Sequence, residues 1–149
     1  MNDHLRLVTT LMFAAVTACA PTNPDSLRQE PGKAHPFETT TDYRAIYDRE
    51  VRGFLRCMTG SYYRMSFAIE PRIDPNTKSA TITLVHYGAW KDIWAVVDIR
   101  ETATGTQVNA YTTNHPLMSD FGIIAEKWAN GSQECQTYPI TTHQFPNVE

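Results

Sequence analysis

The sequence predicts an α+β domain in which an N-terminal helix, a four-stranded antiparallel β-meander and a C-terminal helix follow one another. Apolar and polar residues alternate through most of residues 61–113, and a period of two is typical of strands with one buried face. On both sides of that block, apolar residues recur at three- and four-residue spacing, which predicts amphipathic helices. The C-terminal helix is expected to pack on one face of the sheet.

The first helix is predicted from about Thr41 to Met58. Thr41 is a suitable cap for the first turn, Asp42 suits the positive end of the helix dipole, and Gly60 is placed to end the helix in a left-handed turn. The stripe consists of Tyr43, Ile46, Tyr47, Glu50 or Val51, Phe54, Leu55 and Met58.

Four strands are predicted, at residues 61–70, 79–87, 92–101 and 106–113. Turn-forming residues separate them, among them Asp74-Pro75-Asn76, Gly88 and Thr104-Gly105, which favours an antiparallel meander. In the first strand, one face carries Tyr63, Met65, Phe67 and Ile69.

The two faces of this sheet differ in character. The face expected to turn toward the helices is aliphatic and carries Ile82, Leu84, Ile93, Val97 and Ile99. The other is rich in aromatic residues and carries Tyr62, Val85, Tyr87, Trp94, Val96 and Tyr111, with Arg64 and Arg100 among them. Tyr, Trp and Arg are enriched at binding hot spots, so a partner-binding surface is predicted at Tyr62, Arg64, Tyr87, Trp94 and Tyr111. The alternative is that another part of the chain covers this face.

The second helix is predicted over residues 117–128, with Asn130-Gly131 as its stop and an extended tail over 136–149. Cys57 closes the first helix and Cys135 follows the second. With no Cys-x-x-Cys and no histidine at metal-ligand spacing, a disulfide between Cys57 and Cys135 is the expected state in an oxidising compartment.

Composition and motifs argue against several classes of function. A formal charge of −3 over 149 residues does not favour nucleic acid as a partner. We find no nucleophile elbow, no phosphate-binding glycine loop and no metal-ligand spacing. The sequence therefore predicts no catalytic residues, no metal and no cofactor, and a protein that is not an enzyme. His86, at a strand end, is the one histidine of interest.

The N-terminal segment contains a targeting signal. Residues 1–18 include the apolar run Leu11 to Val16, which has the length of a signal peptide. The run ends in Val16-Thr17-Ala18-Cys19, which resembles the lipobox of bacterial lipoprotein precursors. The resemblance implies cleavage before Cys19 and lipidation of its sulfur. Ala20, which is not Asp, implies an outer-membrane address in double-membrane bacteria.

Residues 19–40 are expected to be a lipidated cysteine and a proline-rich tether without helix or central strand, followed by one folded domain over 41–135. Pro21, Pro24, Pro31 and Pro36 lie in this tether. Its length would lift the domain clear of the lipid headgroups.

The expected function is that of an outer-membrane lipoprotein facing the periplasm, held by its N-terminal lipid and binding another envelope protein. One alternative is an inhibitor or immunity protein against a cell-wall-active enzyme or toxin, with the loop from Asp74 to Lys78 entering a cleft. Another is a small-ligand carrier with a cystatin-like or cone-shaped pocket lined by His86 and Asp92.

Overall fold

The computed structural model describes residues 21–30, 34–62 and 65–135; of Tyr62 and Met65 it describes the backbone. The predicted signal peptide, the Cys19 lipidation site and the tail at 136–149 lie outside the described residues. The elements are α1 (Pro24–Arg28), β1 (Ala34–Thr39), α2 (Tyr43–Cys57), β2 (Gly60–Tyr62), β3 (Met65–Asp74), β4 (Ser79–Tyr87), β5 (Lys91–Thr102), β6 (Gly105–Thr112), a 3₁₀ turn (Pro116–Met118) and α3 (Phe121–Ala129). No helix among these is long and apolar enough to span a membrane.

The predicted α+β class is confirmed, but the described sheet has six strands and not four. They are antiparallel and follow the order β1-β6-β5-β4-β3-β2. The segments predicted from alternation at residues 79–87, 92–101 and 106–113 form β4, β5 and β6. Because β3 to β6 are joined by short turns, the predicted meander forms the middle of the sheet.

Residues 21–40, predicted to contain no helix and no central strand, contain helix α1 and the edge strand β1. Pro24 is the first residue of α1, where its missing N–H would have no intrahelical partner anyway. Pro36 lies in β1, which is an edge strand paired only with β6, and an edge strand tolerates proline. The folded unit therefore includes residues that the sequence assigns to a tether.

The predicted first strand at 61–70 is two strands. β2 ends at Tyr62, β3 begins at Met65, and the two pair with each other so that Tyr62 lies opposite Met65. β3 also continues beyond the predicted end to Asp74. Of the face predicted there, Phe67 and Ile69 pack against the main core, as expected.

Helix α2 lies where its apolar stripe predicts, but its cap is different. The side chain of Asp42, and not of Thr41, accepts hydrogen bonds from the backbone N–H groups of Arg44 and Ala45. Gly60 has a positive φ of 136°, yet it begins β2 and lies beyond the end of α2.

Helices α2 and α3 lie together on one face of the sheet and enclose the main core. Phe54 of α2 and Phe121 and Trp128 of α3 pack against one another, with ring centroids 5.5 to 6.3 Å apart. Gly53 permits this approach, because a Cβ there would overlap the Trp128 ring. Helix α3 stops as predicted, with Gly131 at a φ of 90°.

The predicted disulfide between Cys57 and Cys135 is confirmed, with Cα atoms 5.3 Å apart. After α3 the chain returns toward the end of α2, where the Glu134 carbonyl accepts a hydrogen bond of 2.7 Å from the Trp128 indole. The bridge therefore ties the end of α2 to the segment that follows α3.

Candidate functional site

The face of the sheet opposite α2 and α3 is partly covered by α1. Leu27 is fully buried and forms a second, smaller core with Val85, Ile93 and Val96, against which Tyr111 packs. This is the outcome that the sequence left as an alternative, in which part of the chain covers the aromatic face. Tyr111 is therefore half-buried beneath α1.

A bidentate ion pair holds the C-terminal end of α1 to the sheet. The Arg28 guanidinium donates from Nε and Nη2 to the two carboxylate oxygens of Asp98, at 2.6 and 2.7 Å. Its Nη1 donates to Asp25 at 2.7 Å, and Thr81 donates to Asp98 at 2.8 Å. The hydrogen bond to Asp98 raises the pKa of Arg28 above its ordinary value, so the guanidinium stays protonated throughout the physiological pH range.

Beside α1, the same face carries an open polar groove of about 500 Å³. It is bounded by the N-terminal segment and α1 on one side and by β3 and β4 on the other, and its lining includes Arg28, Glu70, Arg72, Thr81, Thr83 and Lys91. Arg72 is exposed and forms no ion pair with the described residues. The groove therefore offers the Arg72 guanidinium to a polar or acidic ligand surface, although Asp25 and Asp74 also line it.

At one end of the groove, the β4–β5 turn projects two aromatic side chains. Tyr87 is 41% exposed, and Trp90 is 70% exposed. Lys91 lies over the Tyr87 ring, 6.0 Å from its centroid, and donates to Glu70 at 2.6 Å. That hydrogen bond lowers the pKa of Glu70. We refer to Tyr87, Trp90 and Lys91 as the aromatic tip.

The prediction that Trp94 faces away from the helices is wrong, as is the assignment of Ile93 to the helix side. Leu84 pairs with Ala95, whereas the next residue, Val85, pairs with Ile93. Trp94 is thus the extra residue of a β-bulge, which shifts the alternation of side chains by one position. Ile93 turns to α1, and Trp94 packs on the main core.

The bulge gathers Trp94, Phe67 and two histidines into an aromatic cluster on the helix side. The ring of Trp94 lies 5.0 Å from Phe67, 5.4 Å from His86 and 4.5 Å from His115, centroid to centroid. Asp92 accepts from the Trp94 indole at 3.0 Å and bonds His86 Nδ1 at 2.7 Å.

A carboxylate that orients a histidine is part of a general-base arrangement. However, His86 Nε2 is buried and contacts no hydrogen-bonding group of the described residues, so no hydroxyl or thiol among them stands where a nucleophile would. Neither His86 nor Asp92 lines the groove or the two hollows at β6–α3 and at the β5–β6 turn. The described residues also contain no group of three or more side chains able to hold a metal ion.

The structure does not assemble the predicted partner-binding residues into one patch. Tyr87 is exposed at the aromatic tip, Tyr111 lies under α1, and Trp94 lies on the opposite face. The backbone of Tyr62 ends β2, while its side chain and the whole of Arg64 lie outside the described residues.

Three features of this face escaped the sequence reasoning: α1 with Leu27, the Arg28–Asp98 pair and exposed Trp90. Of these, only the exposure of Trp90 could have been predicted from the sequence. Trp90 follows Gly88 in a predicted turn, where a large aromatic side chain has no strand face on which to be buried.

The loop from Asp74 to Lys78 is a tight turn held against the sheet. The Asp74 side chain accepts from the backbone N–H groups of Asn76 and Thr77 at 2.8 and 3.4 Å. Lys78 pairs with Glu101 at 2.5 Å, and its carbonyl accepts from the Glu101 backbone N–H at 3.0 Å.

No protein-family model matches the chain, and comparison with curated proteins and with solved structures gives no significant match.

Proposed function

We propose that this protein is a lipoprotein anchored to the periplasmic face of the outer membrane, and that its domain binds another envelope protein without catalysing a reaction. The observation that carries the proposal is the use of its three cysteines. Cys57 and Cys135 are joined in the domain, which suits an oxidising compartment, and the third, Cys19, occupies the lipobox-like sequence.

The first half of the proposal is tested by metabolic labelling with radioactive palmitate. We expect the wild-type protein to be labelled and Cys19→Ser to be unlabelled, while Cys57→Ser/Cys135→Ser remains labelled. An unlabelled wild type, or a labelled Cys19→Ser variant, would contradict lipidation at Cys19. Fractionation of inner and outer membranes by density then tests the address that Ala20 implies.

The second half places partner binding in the groove beside α1. Three properties support this location: the groove is open, Arg72 lines it without a described ion-pair partner, and Arg28, which also lines it, is fixed by its bidentate pair with Asp98. Rigid charged surfaces lose little conformational entropy on binding. The small-ligand alternative is not taken further, because the groove is open and shallow while His86 and Asp92 lie on the other face.

Site-specific photocrosslinking in intact cells tests the groove. A photoreactive amino acid at position 72 should give a discrete adduct with one other envelope protein. The matched control is position 52, an exposed arginine on α2, on the other side of the sheet. An adduct from position 52 alone would place the partner on the other side of the sheet. The absence of an adduct from every position along the groove would contradict partner binding there.

A further inference from the structure

The N-terminal segment enters the fold at the same end of the sheet as the aromatic tip. The backbone N–H of Ile93 donates to the carbonyl of Pro21 at 2.8 Å. From there the chain runs across the sheet through α1, until Arg28 reaches Asp98. Ile93 and Asp98 are five residues apart on β5, about 17 Å along the strand, so the chain enters near the tip and moves away from it.

This entry point fixes where a lipid on Cys19 would leave the domain. Two residues of extended chain span at most about 7 Å, so the Cys19 Cα lies within that distance of the Pro21 Cα. Trp90 precedes Ile93 by three residues, a reach of about 10 Å at full extension. With the Pro21–Ile93 hydrogen bond between them, these reaches keep the Cys19 Cα within about 24 Å of Trp90, so a lipidated Cys19 would keep the aromatic tip near the bilayer, without the 20-residue tether expected from the sequence between them.

The side chains of the tip suit a membrane interface. Trp90, at 70%, is the most exposed large apolar side chain in the described chain, and Tyr87 is 41% exposed. Tryptophan and tyrosine are enriched at the level of lipid headgroups, because each has an apolar body and a polar edge. Lys91, next to Trp90, is exposed; its ammonium pairs with Glu70 at 2.6 Å, and its aliphatic stem can lie along the interface.

We propose that the aromatic tip at Tyr87, Trp90 and Lys91 is a second membrane contact, which inserts into the lipid headgroup region beside the Cys19 lipid and orients the domain with its polar groove open to the periplasm. This inference rests on the proposed lipidation of Cys19. The occupant of the tip is the bilayer itself, and a protein partner at the tip is a competing outcome of the test below.

The test uses the full-length lipidated protein in vesicles of phosphatidylethanolamine and phosphatidylglycerol, with bromine on the acyl chains or without it. Brominated chains quench tryptophan emission at short range. We expect quenching in the wild type and its loss in Trp90→Phe, which keeps an apolar ring at the tip and removes the exposed indole, while Trp94 and Trp128, packed in or against the main core, remain as an internal reference in every variant. Thermal unfolding of each variant verifies that the fold is intact.

A second variant tests whether quenching depends on which end of the sheet carries the exposed indole. Ile73 is 42% exposed and pairs with Ala80 beside the β3–β4 turn, at the far end of the sheet from the tip. Trp90→Phe/Ile73→Trp therefore carries its exposed indole at the opposite end and should remain unquenched. Quenching that persists in Trp90→Phe, or that returns in the double variant, would overturn the proposed orientation.

Palmitate labelling of the same preparations separates the two proposals. Labelled protein with quenching that depends on Trp90 supports the inference. Labelled protein without such quenching overturns it, leaves the lipoprotein proposal standing and makes Trp90 available to a protein partner. Protein without label overturns both, because the argument for the position of the bilayer starts from Cys19.

Discussion

At the scale of single residues, Glu50 is an acidic side chain in the core. It is fully buried in α2, and among the described residues neither carboxylate oxygen has a hydrogen-bond partner. Burial raises the pKa of Glu50 well above its ordinary value, because desolvation disfavours the charged form. The helix therefore carries a carboxyl group that costs stability and that no described residue compensates.

We predict that Glu50→Gln stabilises the domain at neutral pH by roughly 1–2 kcal/mol, because a neutral amide is cheaper to bury than an unpaired carboxylate. The sign of the pH dependence follows from proton binding. Between about pH 4.5 and the raised folded-state pKa, the folded protein binds one proton more than the unfolded chain, so wild-type stability falls as pH rises. The advantage of Glu50→Gln should therefore grow with pH through this window and be smallest in acid.

Urea unfolding at several pH values measures this difference. Asp48→Asn is the matched control, because Asp48 is exposed on the same helix and its substitution should change stability little. A Glu50→Gln variant that is less stable than wild type at neutral pH would indicate that the carboxylate has a stabilising partner.

At the scale of elements, α1 shows how a five-residue helix can be part of the fold. One leucine and one arginine attach it: Leu27 is buried against Val85, Ile93 and Val96, and Arg28 forms its bidentate pair with Asp98. Leu27→Ala should destabilise the domain by roughly 2–4 kcal/mol through lost burial and the cavity left behind.

The expected mechanism of that loss is local release of α1. Hydrogen exchange of the Ile93 amide, which is bonded to Pro21, should accelerate in Leu27→Ala. Gln29→Ala, at an exposed position that caps the same helix, should leave both stability and exchange near wild type. Similar behaviour of the two variants would mean that α1 is not held by Leu27.

The elements that the sequence predicted well are those whose burial has a regular period. The stripe of α2 and the alternation of β6 each follow one buried face, and β4 is a run of apolar and β-branched residues buried on both faces at its centre. Helix α1 and strand β1 lack such a period, and their prolines argued against a helix or a central strand. Pro24 is tolerated because it lies at the start of a helix, and Pro36 because it lies in an edge strand. Whether a strand lies at the edge of a sheet depends on long-range pairing, which the local sequence does not show.

The position of Trp94 differs from the prediction for the same reason. A regular strand would put Trp94 on the outer face, and the bulge opposite Leu84 and Val85 moves it to the core. Nothing local in Asp92-Ile93-Trp94-Ala95 signals a bulge, because its position is set by how two strands align. Trp94, which the sequence assigns to the partner-binding face, therefore belongs to the aromatic cluster beside Asp92.

At the scale of the whole molecule, three features are ordered along one axis. The chain enters beside the aromatic tip, the polar groove extends along β3 and β4 from Lys91 toward Asp74, and the Asp74–Ser79 turn lies at the far end. With the tip at the bilayer, as we infer, the groove would extend away from the membrane. A partner could then approach it from the periplasm without displacing lipid.

This arrangement depends on the short connection between Cys19 and Pro21, which can be lengthened. An insertion of about 12 Gly and Ser residues between Ala20 and Pro21 has a root-mean-square span of about 20 Å. We predict that it reduces quenching of Trp90 by brominated lipid, because the effective concentration of the tip at the bilayer falls as the link lengthens. Palmitate labelling and the melting temperature should not change.

The control insertion has the same composition and length and lies between Ala103 and Thr104, in the β5–β6 turn at the far end of the sheet. Because surface turns accept added length at a small entropic cost, that variant should fold and retain wild-type quenching. Equal quenching in wild type and in the Ala20–Pro21 insertion would show that the tip binds lipid strongly by itself and that the short link contributes nothing to orientation. A loss of quenching in both insertions would instead show that added chain perturbs the domain, and the proposed role of the entry point would be wrong.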